Sequence, residues 1–273
     1  MLREIRQQPL ALERTFKSGL RESAKLAATV ARRPPAFVVL VARGSSDNAA
    51  QAGRYLIETT TGIPVSLAAP SVTTLYKRRL HWKNALVVGI SQSGESTDVN
   101  MVVEEARRDG ALTVGITNES QSKLAGLADH TFLVRAGKEH SVAATKTYTG
   151  QIMALYLLTQ ALGGQVGDVA RVPEWAAAAL TLEDRVAQRA SGYRFLEHAV
   201  AVGRGLNYAS AQEFALKLME TCYVVAERFS GADFLHGPIA MLEHAFPVFL
   251  FTPSGVTWPG MRALWKTVAE LGS

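Results

Sequence analysis

Apolar residues along this chain fall into short continuous runs, separated by polar turns and by longer stretches of helical periodicity. Ile5, Leu10, Leu12, Phe16, Leu20, Leu26 and Val30 recur at roughly helical spacing among Arg, Glu and Lys. That pattern predicts a helix over residues 3–32, closed by Arg32-Arg33-Pro34-Pro35. AFVVLVA (36–42) follows, a β-branched run of the kind buried on both faces in a parallel sheet. The polar turn RGSSDN (43–48) leads into a helical stretch ending near Thr60. The same unit recurs as strand ALVVGI (85–90), turn SQSGESTD (91–98) and helix VNMVVEEARRDG (99–110), closed by Gly110. LTVGITN (112–118) and TFLVRAG (131–137) read as two further strands, and VAATKTYTGQIMALYLLTQALGG (142–164) as a long helix. Strands alternating with helices predict right-handed crossovers and a parallel sheet with helices on both faces, a three-layer αβα arrangement of the α/β class.

Past an Ala-rich helical stretch the pattern restarts. HAVAVGRGLNYASAQEFALKLMET (198–221) echoes FVVLVARGSSDNAAQAGRYLIET (37–59): an apolar strand, an Arg-Gly turn, then a small-residue helix ending in Glu-Thr. PVFLFTP (247–253) reads as the next strand and 258–271 as the next helix. The expected organisation is an N-terminal helix (1–32), a first domain (33–165), a helical connector (166–197) and a second domain (198–273). Four strands are expected in the first domain and two in the second, which makes the second incomplete at its C-terminal end.

Composition narrows the function classes. The 273 residues, 48% hydrophobic and 19% charged, suit a globular chain with a substantial core. A net charge of +5 is compatible with a nucleic acid, an anionic surface or a phosphorylated small molecule. The densest cationic cluster, Lys77-Arg78-Arg79, is too short for a nucleic-acid patch, and no helix-turn-helix or zinc-finger spacing occurs. No apolar stretch is long enough to span a membrane, and Met1–Leu12 does not read as a signal peptide. The lone cysteine, Cys222, reads as a small buried helix residue and fits a reducing cytoplasmic setting. The histidines show no ligand spacing, so no metal site is expected, and neither GxxxxGK[ST] nor GxGxxG is present to suggest ATP or NAD.

Chemistry is concentrated at strand ends. In open parallel sheets ligands bind where the carboxyl ends of strands meet helix N-termini. Two such ends carry hydroxyls: Ser45 and Ser46, then Ser91, Ser93, Ser96 and Thr97, with Gly44 and Gly94 permitting close backbone approach. Serine and glycine also cap helices wherever they occur, but two such turns on adjacent strands favour a phosphate pocket. The second half supplies titratable groups. Lys217 and Glu220 lie three residues apart and share a helix face, as do Glu213 and Lys217 at four, a spacing that equally suits a solvated salt-bridge stripe. His236 lies in GADFLHGP (231–238), flanked by Gly and Pro.

Taken together, VARGSSDNA, ISQSGEST, RAGKEHSVAATKTY, GRGLNYASAQEFALKLMET and AERFSGADFLHGP resemble, in this order, the double-SIS sugar-phosphate enzymes. That family includes the isomerase portion of glutamine–fructose-6-phosphate aminotransferase and SIS-type glucosamine-6-phosphate deaminases. The resemblance runs from about residue 30 to 273 and implies two SIS-type, flavodoxin-like parallel-sheet units. It implies that Ser45, Ser46, Ser91, Gln92, Ser93 and Ser96 bind the sugar phosphate beside Gly44, and that Val142 and Ala144 line the sugar. Ala144 stands where the aminotransferase has Ser, and Ser96 where it has Thr. Glu220 would carry a proton between C2 and C1, Lys217 would assist near the sugar oxygens, and His236 would open the ring. The resemblance implies no metal or organic cofactor, and a homodimer with shared sites. Because the chain begins at Met1-Leu2 without a glutaminase segment, the expected reaction is release of ammonia from glucosamine 6-phosphate to give fructose 6-phosphate. The rival enzyme readings are a fructosamine-6-phosphate deglycase and an aldose–ketose isomerase. The rival of another class is a non-catalytic sugar-phosphate-sensing module, which needs the serine turns but neither Glu220 nor His236.

Overall fold

The continuous apolar runs become the central strands of two parallel sheets. A computed structural model describes residues 1–273 and resolves them into two units, Met1–Thr181 and Leu182–Ser273.

The first unit opens with α1 (Leu2–Arg6) and α2 (Gln8–Arg32). The single helix expected over 3–32 is therefore interrupted at Gln7: Pro9 lacks an amide hydrogen and fits only the first turn of a new helix. Then follow β1 (Phe37–Val41), α3 (Ser45–Thr61), β2 (Val65–Leu67), α4 (Ser71–Thr74), β3 (Ala85–Ile90) and α5 (Thr97–Arg108). The unit closes with β4 (Leu112–Thr117), α6 (Lys123–Leu127), β5 (His130–Leu133), α7 (Lys146–Ala161) and α8 (Val172–Leu180). Its five strands run parallel in the order β2-β1-β3-β4-β5. Alternation along the strands sorts the two faces. Val38, Leu40, Leu86, Val88, Val114 and Ile116 pack with Ala49, Ile57, Leu155 and Leu158 of α3 and α7. Val39, Val41 and Val87 turn the other way, onto Val99, Val102 and Val103 of α5. Both faces are covered, which is the three-layer arrangement expected from double-sided apolar runs.

The second unit comprises α9 (Glu183–Ala190), β6 (His198–Gly203), α10 (Leu206–Cys222), β7 (Val225–Ser230), α11 (Gly231–Leu235), β8 (Val248–Leu250) and α12 (Trp258–Glu270). Its strands are parallel in the order β7-β6-β8. Val200 and Val202 face Phe234, Met261 and Leu264, while Ala201 faces Ala211 and Ala215 of α10.

Each unit has one strand more than its apolar runs predict, β2 in the first and β7 in the second, both at sheet edges. The helix expected over 142–164 spans only 146–161. Cys222, expected to be buried, is exposed, because it is the last residue of α10 and lies beyond the helix's packed face. No helix is long and apolar enough to cross a membrane.

Candidate functional site

Strand order fixes where a ligand can enter the first unit. From β1 the chain moves through α3 to β2 on one side, and from β3 through α5 to β4 on the other. The two crossovers diverge, and a crevice opens outside the carboxyl ends of β1 and β3. Both serine turns stand there. Gly44 adopts φ 59°, ψ −135°, a conformation closed to residues with a Cβ, and turns the chain from β1 straight into α3. Asp47 and Asn48 donate their amides back to the Gly44 carbonyl at 2.9 and 3.2 Å, so Ser45 and Ser46 form the open first turn of the helix. Ser45 is half-buried and Ser46 buried.

The β3 turn is held from behind. The amide of Gly94, at φ 68°, donates to the carbonyl and Oγ of Ser91 at 3.2 and 3.1 Å. The carbonyl of Gly94 accepts from the Leu124 amide and from Asn100 Nδ2, both at 3.0 Å. A Cβ at residue 94 would stand 2.1 Å from Ser122 Oγ, so only glycine fits. Gln92 and Ser93 are exposed, Ser96 is half-buried as the residue before α5, and Ser91 is buried. Arg43 bridges the two turns, its guanidinium donating to Asp98 Oδ2 at 2.7 and 3.2 Å. Two helix N-termini carrying hydroxyls and facing one crevice suit an anion such as a phosphate.

Val142 and Ala144 stand in the loop leading into α7, Val142 almost fully exposed and Ala144 half-buried. Glu139 and Glu4 shape this loop. Glu139 Oε1 accepts the amides of Thr145 and Lys146 at 2.9 and 3.0 Å, capping α7 with a carboxylate that also opposes its dipole. That capture explains why the helix starts at Lys146 rather than 142. Glu4, buried at the chain's beginning, accepts the amides of His140 and Ser141 at 2.5 and 3.2 Å. The His140 amide chiefly holds the Glu4 carboxyl below the usual carboxylate range. Lys146 is buried and donates to Gln7 Oε1 and the Lys138 carbonyl.

In the second unit, α10 places Lys217 Nζ between two carboxylates, 2.5 Å from Glu220 Oε2 and 3.3 Å from Glu213 Oε1. Glu213 is buried, whereas Glu220 reaches solvent. His236 caps the C-terminus of the short α11 and is exposed. A carboxylate and an imidazole are each groups that can move a proton. The ion pairs of α10 join Lys217 to Glu213 and Glu220 and do not include His236. No group of three or more His, Cys, Asp or Glu side chains converges as a metal site would demand.

Several supporting residues escape sequence reasoning. Arg43 and Asp98 are remote in the chain. Glu4 and Glu139 lie outside any capping-box spacing. Gln151 and Asn100 are polar residues on otherwise apolar helix faces, and the amide Nε2 of Gln151 donates to Ser46 Oγ at 3.0 Å.

Comparison with known proteins bears on the family and the fold. The SIS domain model matches residues 36–161 and 196–271. Glutamine–fructose-6-phosphate aminotransferase of Pyrococcus horikoshii is 34% identical over 269 residues. That match covers 96% of this chain, which in turn spans only 45% of the relative's length. Among solved structures, a candidate phosphosugar isomerase from Silicibacter pomeroyi DSS-3 superposes with a TM-score of 0.91 at 37% identity, over 99% of this chain and 83% of that one. The C-terminal domain of glucosamine-fructose-6-phosphate aminotransferase from Francisella tularensis gives 0.86 at 27% identity, over 100% of this chain and 81% of that one.

Proposed function

Because this chain belongs to the SIS domain family, we propose that it is a sugar-phosphate enzyme acting on the pair glucosamine 6-phosphate and fructose 6-phosphate. The observation that carries the reading is the pairing of two hydroxyl-bearing helix N-termini across the β1/β3 crevice. Gly44, Ser45, Ser46, Ser91, Gln92, Ser93 and Ser96 hold the phosphate there, and Val142 and Ala144 line the sugar. The names of the aminotransferase relatives point to fructose 6-phosphate as the ketose.

In the proposed chemistry His236 opens the pyranose ring by moving a proton between the ring oxygen and the C1 hydroxyl. Glu220 then takes the proton from C2 of the open-chain amino aldehyde and returns it to C1, while O1 takes up a proton and the amino nitrogen gives one up. The product is a ketimine at C2, which water hydrolyses to fructose 6-phosphate and ammonia. Lys217, held beside Glu220, neutralises charge gathering on the sugar oxygens. A carboxylate suits the shuttle because one group can reach both adjacent carbons. A homodimer belongs to the same proposal.

The test is to incubate the purified chain with glucosamine 6-phosphate and follow ammonia and fructose 6-phosphate together. Equal release of both supports the deaminase. Conversion between glucose 6-phosphate and fructose 6-phosphate without ammonia would replace it with a plain aldose–ketose isomerase. If no turnover accompanies tight binding of the sugar phosphate, the reading gives way to a sensing module.

A further inference from the structure

Behind the first serine turn lies a side chain that none of the chemistry above uses. Gln151 is in the middle of α7, 2% exposed, on a helix whose neighbouring buried residues are Met153, Ala154, Leu155, Leu157 and Leu158. Its Nε2 donates to Ser46 Oγ at 3.0 Å, and its Oε1 has no hydrogen-bond partner. Burying a carboxamide with half its capacity unsatisfied is costly, and an apolar residue at this position would avoid the cost. Turning the amide over would strand the nitrogen instead, and buried N–H groups tolerate that less well than carbonyls do.

A serine hydroxyl has one hydrogen to give and two lone pairs to accept with. Because Gln151 occupies a lone pair of Ser46 with an N–H, the hydroxyl hydrogen of Ser46 remains to be given elsewhere. We infer that Gln151 is a positioning residue for the phosphate pocket: by donating to Ser46 it orients that hydroxyl as a donor toward an anion at the N-terminus of α3. The inference rests on the proposed phosphate site and deepens it. It also explains why a buried glutamine, rather than a leucine, stands at this turn of α7. With a leucine there, the Ser46 hydroxyl could rotate its hydrogen back into the helix and present lone pairs to the ligand, which a phosphate would reject.

The experiment is a double-mutant cycle on fructose 6-phosphate binding by titration calorimetry, with fructose as the uncharged reference. The variants are Ser46→Ala, Gln151→Met and both together, and Gln151→Glu serves as a second replacement of the same size. The wild type is expected to prefer the phosphorylated sugar. Gln151→Met weakens that preference by about five- to tenfold, the scale of one hydrogen bond to a charged group. The double variant falls no further than Ser46→Ala alone, because Gln151 acts only through that hydroxyl. Gln151→Glu loses at least as much as Gln151→Met, since a carboxylate draws the hydroxyl hydrogen toward itself. If the wild type does not distinguish fructose 6-phosphate from fructose, the phosphate pocket itself is wrong and the inference falls with it. If the wild type discriminates but the Gln151 variants match it, or the two losses simply add, the pocket stands and the role of Gln151 is overturned.

Discussion

The two units repeat one turn with near-identical backbone and opposite chemistry. Gly44 ends the β1 turn at φ 59°, ψ −135°, and Gly205 ends the β6 turn at φ 62°, ψ −136°. Each is preceded by an arginine and followed by a helix of 17 residues, and the strand order β2-β1-β3 recurs as β7-β6-β8. The side chains differ where it matters. Ser45 and Ser46 of the first unit correspond to Leu206 and Asn207 of the second. Further along the helix the polarity reverses: Ala52, Leu56 and Thr59 of α3 stand where α10 carries Glu213, Lys217 and Glu220. The scaffold thus offers two places for function, the helix N-terminus and one helical face. The first unit carries paired serines at the N-terminus, the proposed anion site. The second has Leu206 and Asn207 in place of the paired serines and carries its titratable side chains, Glu213, Lys217 and Glu220, along one face. The backbone that makes the turn recurs, while the side chains it presents differ.

The largest effect expected from this division is on turnover. Glu220→Gln keeps the shape of the side chain and removes its basicity, so kcat for fructose 6-phosphate formation should fall by about 10²–10⁴-fold. Fructose 6-phosphate affinity should survive, because the proposed phosphate contacts belong to the first unit. The fold should survive too: Glu213 still holds Lys217, and an ion pair with a solvent-reaching partner such as Glu220 is worth at most about 1 kcal/mol. Thr59→Ala, the change at the corresponding position of α3, should leave kcat untouched. Equal loss from both substitutions, or from neither, would break the comparison.

Next in size is the shared turn. Gly44→Ala and Gly205→Ala each force a residue with a Cβ into a region nearly closed to it, at about 1–3 kcal/mol apiece. The two should not be equal. A Cβ at residue 44 meets nothing within 4 Å, whereas one at residue 205 would stand 3.2 Å from Thr257 Cγ2. Denaturant unfolding should therefore rank Gly205→Ala as the more damaging. Only Gly44→Ala should also weaken fructose 6-phosphate binding, because only that glycine is followed directly by two serines, the proposed phosphate ligands. If Gly205→Ala weakens binding as strongly, the second turn takes part in anion recognition and the division is less clean.

What the sequence discloses of this comparison follows from burial. β1, β3, β4 and β6 are central or doubly covered, so they appear as unbroken apolar runs, and both serine turns are legible as the polar breaks that follow β1 and β3. β2 and β7 are edge strands. VSL is too short to register, and VAERFS interleaves charge because one side of the strand meets solvent. The start of α7 is misjudged for a different reason: residues 142–145 have helical composition, but Glu139 captures the amides of Thr145 and Lys146 and ends the loop there. Lys217 and Glu220 were legible as a pair because helical spacing alone brings them together. Gln151 and Ser46 are 105 residues apart and follow no periodicity, so only the packing of α7 on α3 reveals them.

The smallest effect, and the one that sharpens the comparison most finely, concerns acid. The loop carrying Val142 and Ala144 is tied to the chain's beginning by the Glu4 carboxylate, which accepts from His140 and Ser141. Those bonds, the His140 one foremost, lower the pKa of Glu4 below its ordinary 4.5. A carboxyl with a depressed folded-state pKa contributes fully above its unfolded value and loses that contribution as pH falls through the folded one. Amide exchange at His140 and Ser141 should therefore show protection that is steady above about pH 4.5 and declines below it. Strand amides of Val200 and Val202 in the second unit serve as the internal reference. In Glu4→Gln the protection should be weaker at neutral pH and should no longer change with acid in this range, because the carboxamide has no charge to lose. This loop, proposed to line the sugar, would then loosen before its parent sheet does, raising KM for the sugar phosphate at low pH while the reference strands stay closed. Undiminished protection in Glu4→Gln would instead assign the loop's order to Glu139 alone, which caps α7 without help from the N-terminal helix.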